Sequence, residues 1–223
     1  MLMNILKKNP ITIILSSQNW IKSQKGHVEL NSEFKLREGD TIKKVIYAKT
    51  NDKIIFFSEN GFFYSILGIK LPSGRGFGEP LSKFFDLDNN EKIINFFSYF
   101  EGKVAIASSD GLGFKIKTDK LIAATRTGKK VFNINENQKA KALTICDKEY
   151  LAVTGSNRKM LVFSLSELPE LNKGKGVILQ RYKDGYLEDI KSISKDEGII
   201  WNLSGGRQRT EKDISVWVGK RGS

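Results

Sequence analysis

The chain has 223 residues, 39% of them apolar, and its 37 Lys and Arg against 25 Asp and Glu give a formal net charge of +12. Such apolar content, with 14 Phe, excludes a disordered chain, and the length suits one all-β domain. The excess of cations implies an anionic partner, nucleic acid before acidic membrane.

In chain order, residues 1–9 read as a linker remnant or an added start, and 10–223 as a single domain. Residues 11–15 are β-branched and apolar and predict a strand, Gln18-Asn19 a turn, and 20–24 the returning strand. A turn at Arg37-Glu38-Gly39-Asp40 leads to a strand over 42–48. The second stretch is clearer. Lys53–Ser58 and Phe62–Leu67 flank Asn60-Gly61, a strong hairpin signal. The loop Leu71-Pro72-Ser73-Gly74-Arg75-Gly76-Phe77-Gly78-Glu79-Pro80-Leu81 follows, then 83–87, a turn at 88–90, and 93–99. The third stretch has 104–107 and 114–117 around Asp110-Gly111, a loop over 126–130, then 131–134, a turn at 135–137, and 142–146. The fourth has 151–154, a turn at Ser156-Asn157-Arg158, 160–165, a loop over 173–176, 177–182, Asp184-Gly185 and 187–193. The fifth begins with 199–203 and Gly205-Gly206, continues with 214–218 and stops. The one candidate helical turn, 166–171, contains Pro169 and is expected to be a loop.

The first turns fall at Asn19, Gly61, Gly111, Arg158 and Gly206. Their recurrence every 42–50 residues, with about four strands per repeat, predicts an all-β, propeller-like array of about five blades, the last incomplete. Each repeat shows one basic, glycine-containing loop. The Gly74-Arg75-Gly76 tip has weaker counterparts in Arg126-Thr127-Gly128-Lys129-Lys130, Lys173-Gly174-Lys175-Gly176, Gly219-Lys220-Arg221-Gly222 and, earlier, Lys22-Ser23-Gln24-Lys25-Gly26. Glycine permits positive φ and close backbone approach, so such loops can offer N–H groups and a cation to a phosphate. The expected phosphate contacts are Lys22, Lys25, Arg75, Arg126, Lys129, Lys130, Lys173, Lys175, Lys220 and Arg221, with Arg207 and Arg209 as a second-rank pair. Glu79 is a candidate partner for Arg75.

Other chemistry is sparse. His27 is the one histidine, so no Ser-His-Asp or Cys-His site is expected, and His27 reads as a polar loop residue. No Gly-Lys is followed by Ser or Thr in the phosphate-loop pattern, and Gly74, Gly76 and Gly78 lack dinucleotide-site spacing. Asp86 and Asp88 read as solvated loop acids. The single cysteine, Cys146, cannot form an internal disulfide; it fits a reducing compartment and reads as a buried small hydrophobe. No apolar run nears the ~20 residues of a membrane span, and residues 1–6 lack signal-peptide order. A cytoplasmic protein is expected. Trp20, Trp201 and Trp217 are expected in the core, and Phe77 is the loop aromatic that an RNA-binding β-array could use for base stacking. A propeller-like protein-interaction module with incidental charge is the other rival.

The run Pro10-Ile11-Thr12-Ile13-Ile14-Leu15-Ser16-Ser17-Gln18-Asn19-Trp20-Ile21-Lys22-Ser23-Gln24-Lys25-Gly26-His27 resembles the start of the C-terminal domains found in the A subunits of bacterial DNA topoisomerase IV. The loop from Ile69 to Leu81, the run Phe163-Ser164-Leu165-Ser166-Glu167-Leu168-Pro169 with Lys173-Gly174-Lys175-Gly176, and Val218-Gly219-Lys220-Arg221 resemble later parts of the same family. The plan is similar to the gyrase A C-terminal domain, but the full gyrase box, Gln-Arg-Arg-Gly-Gly-Lys-Gly, is missing. That departure speaks against gyrase-type wrapping and negative supercoiling. The resemblance implies a β-pinwheel whose blades exchange strands and whose basic rim binds and bends double-stranded DNA. It implies no catalytic residue and no cofactor in this chain. The nucleophilic tyrosine, ATP and magnesium then belong elsewhere in a holoenzyme of topoisomerase IV, which joins the rest of the A polypeptide to an ATPase partner. That holoenzyme decatenates and relaxes DNA on the nucleoid or peripherally at the inner membrane. The isolated domain is expected to be a monomer.

Overall fold

The computed structural model describes residues 8–202 and 207–223, with side chains for all of these except 201 and 202. The fold is all-β. Its strands are β1 (Pro10–Ser16), β2 (Trp20–Lys25), β3 (Ile42–Lys49), β4 (Lys53–Ser58), β5 (Phe62–Leu67), β6 (Glu79–Pro80), β7 (Ile93–Ser98), β8 (Lys103–Ser108), β9 (Leu112–Lys117), β10 (Lys129–Lys130), β11 (Ala140–Ile145), β12 (Tyr150–Gly155), β13 (Met160–Ser164), β14 (Val177–Ile178), β15 (Leu187–Ile193), β16 (Ile199–Asn202) and β17 (Gln208–Glu211). Helix among the described residues is confined to single 3-10 turns, one of them Leu165–Glu167 just ahead of Pro169. No helix among the described residues is long and apolar enough to cross a membrane.

The described strands form five sheets: β3-β1-β2-β6, β10-β5-β4-β7, β11-β8-β9-β14, β13-β12-β15 and β16-β17. They group into two compact units. Met1–Phe100 with Leu121–Val131 forms one; Glu101–Lys120 with Phe132–Ser223 forms the other. Each central strand starts a hairpin and is covered on both faces, which explains the unbroken apolar runs of β1, β4, β8 and β12. In the first unit Ile13, Leu15, Ile54, Phe56, Phe85 and Phe96 share one buried cluster, with Phe56 stacked on Phe96 at 5.4 Å between ring centroids. In the second unit Leu151, Val153, Phe163, Leu179 and Ile190 form the counterpart.

The hairpin turns stand where the 42–50 residue recurrence puts them. Asn19, Gly61, Gly111 and Arg158 all have φ between 61° and 84°, and each N–H donates to the carbonyl three residues earlier, at 3.0–3.1 Å. Gly206 lies outside the described residues. A second, less obvious sequence signal accompanies these turns. Ser16, Ser58 and Ser108, each three residues before the left-handed position, are buried at 0–1% exposure. The Ser16 and Ser58 hydroxyls accept from the N–H of Trp20 and Phe62, which satisfies a donor at the point where the ladder starts.

The third expected strand of each repeat is corrected. Residues 83–87 and 131–134 form no ladder, and 177–182 pairs only through β14. Instead a two-residue strand just upstream crosses to the outer edge of the preceding sheet: β6 to β2, β10 to β5 and β14 to β9. The following residues turn inward to bury Leu81 and Phe85, Val131 and Phe132, and Leu179. Burial of these side chains outweighs β propensity, because the local turn Phe84 N–H to Leu81 O already satisfies the backbone.

In the last repeat the strand expected over 214–218 is a 3-10 turn, Ser215–Trp217. Asp213 sets it by accepting from both the N–H and the hydroxyl of Ser215, and these bonds hold its carboxyl below the usual range. The strand pairing β16 is β17, further upstream. Trp20 and Trp217 are half-buried, not core, with the Arg37 guanidinium 4.4 Å above Trp20. The side chain of Trp201 is outside the described residues.

Cys146 is partly buried against the second unit's cluster, and burial pushes its thiol up to about 12, the nearby Lys115 and Lys103 pulling the other way. Two outcomes are expected. Alkylation by iodoacetamide at pH 8 should be slower in the native chain than in urea by up to about a thousandfold, the ratio of thiolate fractions. Because the folded state holds this proton longer than the unfolded one, stability should fall as pH rises from 9 towards 12. Equal alkylation rates in both states would contradict the burial.

Candidate nucleic-acid interface

The basic loops share one construction. In the first, the chain meets β2 in a parallel bridge, Ser73 against Ser23, with Ser23 N–H donating to Pro72 O and Gly74 N–H to Ser23 O. It returns to β2 as the antiparallel β6. Between these anchors Gly74, Arg75 and Gly76 stand out as an exposed apex. The third loop repeats the device on β9. Lys115 bridges Glu170, Leu171 N–H donates to Lys115 O, and β14 returns beyond the exposed Lys173 and Lys175. The second loop starts from Ala123 N–H on the Ser65 hydroxyl and returns as β10, with Arg126 at its apex. Each apex is thus held at both feet on one strand of the preceding sheet.

The feet need glycine. Gly78, Gly128 and Gly176 have φ of 82°, 69° and 78°, immediately before β6, β10 and β14. A Cβ would lie 2.2 Å from Ile21 O at Gly78, 2.6 Å from the Tyr64 ring at Gly128, and 2.1 Å from Gly113 O at Gly176. These glycines serve packing on the neighbouring sheet, not approach to a ligand. Gly74 and Gly76, at the apex, face open space.

The expected contact residues divide into two groups. Arg75 has no hydrogen-bond or ion-pair partner among the described residues, because Glu79 pairs with Lys83 at 3.1 Å instead. Lys25, Lys173, Lys175, Arg207 and Lys220 are exposed as well. Lys129 and Lys130 constitute β10 itself, with the Lys130 ammonium 5.4 Å from the Phe62 ring centroid. Arg209 is exposed beside Glu211 at 3.7 Å.

Three of the expected contact residues already hold partners within the fold. Lys22 is only 2% exposed. Its ammonium donates to Lys35 O at 2.6 Å and Gly76 O at 2.9 Å, tying the back of the first apex; burial, then Lys35, lowers its pKa. Arg126 donates to Asp86, Lys83 O and Ser82 O, at 2.6–3.3 Å. Arg221 donates from Nη1 to Ile178 O at 2.6 Å. Each cation is committed because turns and loop ends leave carbonyls unpaired, and a charged donor satisfies them more strongly than a neutral one.

Phe77 is 43% exposed, with the Lys35 ammonium 4.8 Å from its ring centroid. His27 is a loop residue as expected, stacked on Tyr47 at 4.4 Å between ring centroids. Among the described residues no group of three or more His, Cys, Asp or Glu could hold a metal ion.

Comparison with known proteins agrees with the all-β repeat fold. The family model described as DNA gyrase C-terminal domain, beta-propeller, matches residues 52–99, 102–147 and 149–195. The A subunit of DNA topoisomerase 4 from Caulobacter vibrioides is 40% identical over 218 residues, which are 97% of this chain and 29% of that protein. The Salmonella typhimurium protein of the same name is 34% identical over 98% of the chain and 28% of its own length. The chain therefore spans under a third of these curated relatives. Among solved structures, the Escherichia coli ParC C-terminal domain superposes with a TM-score of 0.82 at 27% identity, covering 96% of this chain and 91% of that one. A DNA gyrase A C-terminal domain, at 16% identity and TM-score 0.71, shares the fold and covers 96% of this chain and 75% of that one. With the model's repeats matched across more than half of its length, the chain belongs to the DNA gyrase C-terminal domain family of β-propellers.

Proposed function

We propose that this chain is the non-catalytic, DNA-binding C-terminal domain of a topoisomerase IV, carried on its A polypeptide. The observation that carries the reading is the pair of apices, each braced at two feet, that present Arg75 and the Lys173 and Lys175 pair to solvent. Rigid feet with free cations suit binding to phosphates without reading bases. Each contact releases counterions and positions the duplex, and specificity is left to its path. Cations at intervals favour a curved duplex. Bending ~20–30 bp through tens of degrees costs of order 1–6 kcal/mol, and a partial set of free cations offsets only part of that cost. Weak bending follows, with a preference for particular duplex crossings, in place of gyrase-type wrapping.

In this reading the domain meets the duplex to be transported and steers substrate choice in decatenation and supercoil relaxation. Cleavage, ATP and magnesium belong to the rest of that polypeptide and to its ATPase partner, and the holoenzyme works on the nucleoid. The test is the affinity of the 223-residue chain for duplex DNA as salt is raised, with linear and supercoiled competitors. A steep negative slope of log affinity against log salt, with tighter binding to crossed or supercoiled DNA, is expected. A flat slope would favour the protein-interaction alternative.

A further inference from the structure

The last basic loop is built unlike the others. It meets β13 through the Val162–Val218 parallel bridge and Gly219 N–H to Val162 O. From there the chain crosses to the residue just past β14, where Gly222 N–H donates to Leu179 O. Here lies a cleft of about 600 Å³, with Leu112, Val177 and Ile178 on its apolar wall and Arg181, Lys220 and Arg221 as its charged lining.

The two guanidiniums are clamped in opposite senses. Arg181 Nη1 donates to Gly222 O at 2.5 Å, and Arg221 Nη1 donates to Ile178 O at 2.6 Å. Each clamp uses one of the five donors of a guanidinium. Arg221 Nε is buried and has no partner among the described residues. The carboxylate at this loop, Glu167, accepts from the backbone N–H of Arg221 at 3.3 Å, so it does not neutralise the side chains directly. Three cations line one concave site, which suits a compact anion with several acceptor oxygens.

We propose that Arg181, Lys220 and Arg221 form a binding site for one phosphoryl group. The site is independent of the apex contacts argued above and can be tested without DNA. Its anion could be a phosphodiester of bound duplex or a free phosphate compound; both present the same tetrahedral oxyanion. The guanidiniums supply fork-shaped donors, and Lys220 supplies a mobile point charge at the mouth.

The experiment is titration of the 223-residue chain with inorganic pyrophosphate by calorimetry, alongside the Lys220→Gln and Arg181→Gln variants. Lys220 is exposed, and its ammonium makes no hydrogen bond or ion pair among the described residues, so Lys220→Gln should melt as the parent does. The parent is expected to bind pyrophosphate at millimolar or lower concentration, and each variant to lose about ten- to a hundredfold in affinity. Duplex binding measured with and without saturating pyrophosphate then separates the sources. Competition assigns the site to the DNA backbone, and its absence assigns it to a free anion. Failure of the parent to bind pyrophosphate, or equal binding by a folded Lys220→Gln, would overturn the proposal while leaving the apex reading untouched.

Discussion

Gly176→Ala is expected to destabilise the chain by roughly 2–5 kcal/mol. Two costs add: a left-handed backbone costs a residue with a Cβ roughly 1–2 kcal/mol, and overpacking adds roughly 1–3 kcal/mol. The added methyl would stand 2.1 Å from Gly113 O and 2.9 Å from the Phe114 ring, and neither a strand carbonyl nor a fully buried ring can move aside cheaply. Gly128→Ala should behave alike against Tyr64. Gly76→Ala is the control. That position is exposed, has open space around it and no positive φ, so its change should stay within about 0.5 kcal/mol. Urea denaturation of the three variants is the measurement. At roughly 2–4 °C per kcal/mol for a chain of this size, melting should also separate them. If Gly176→Ala unfolds at the same urea concentration as Gly76→Ala, Gly176 does not anchor the loop.

The triple change Arg75→Gln/Lys173→Gln/Lys175→Gln is expected to leave the fold intact and to weaken duplex binding. All three side chains stand exposed at apices, and none holds a hydrogen-bond or ion-pair partner among the described residues. If each neutralises one phosphate, the slope of log affinity against log salt should fall in magnitude by roughly 2.7. Arg126→Ala is the informative contrast. Its guanidinium bonds two carbonyls and Asp86, so truncation frees the 82–86 segment and should cost about 1–2 kcal/mol, discounted for its exposure. Its effect on the salt slope should be smaller than that of Arg75→Gln. Binding by the folded triple variant with the parent's affinity and slope would move the DNA surface away from the apices, towards Lys25, Lys220 or the Arg207 and Arg209 hairpin.

Much is legible along the chain itself. The recurrence of turns at Asn19, Gly61, Gly111 and Arg158 survives in the structure because a hairpin's left-handed position is a local demand, met by Gly or Asn or tolerated at a cost by Arg158. The central strands are equally plain, since burial on both faces requires a continuous apolar run. The docked glycines carry a signal whose meaning differs from the one expected. Gly78, Gly128 and Gly176 follow their turns by 17, 17 and 18 residues, a constancy that phosphate approach does not require but packing against a neighbouring sheet does.

What only the tertiary structure decided is which strand completes which sheet and which cations remain free. β6, β10 and β14 are two residues long and too short for any periodicity, and their partners lie in the preceding repeat. Likewise Arg75 and Arg126 look alike in sequence, each beside a glycine or a small polar residue in a basic loop. The carbonyls of Ser82 and Lys83 turn towards Arg126, and Arg75 has no counterpart to them among the described residues. The sequence alone determined an all-β repeat with a basic loop in each unit, because turn geometry and burial act over a few neighbouring residues. Whether Arg126 is free depends on acceptors 40 or more residues away in the chain, and only folding brings those together.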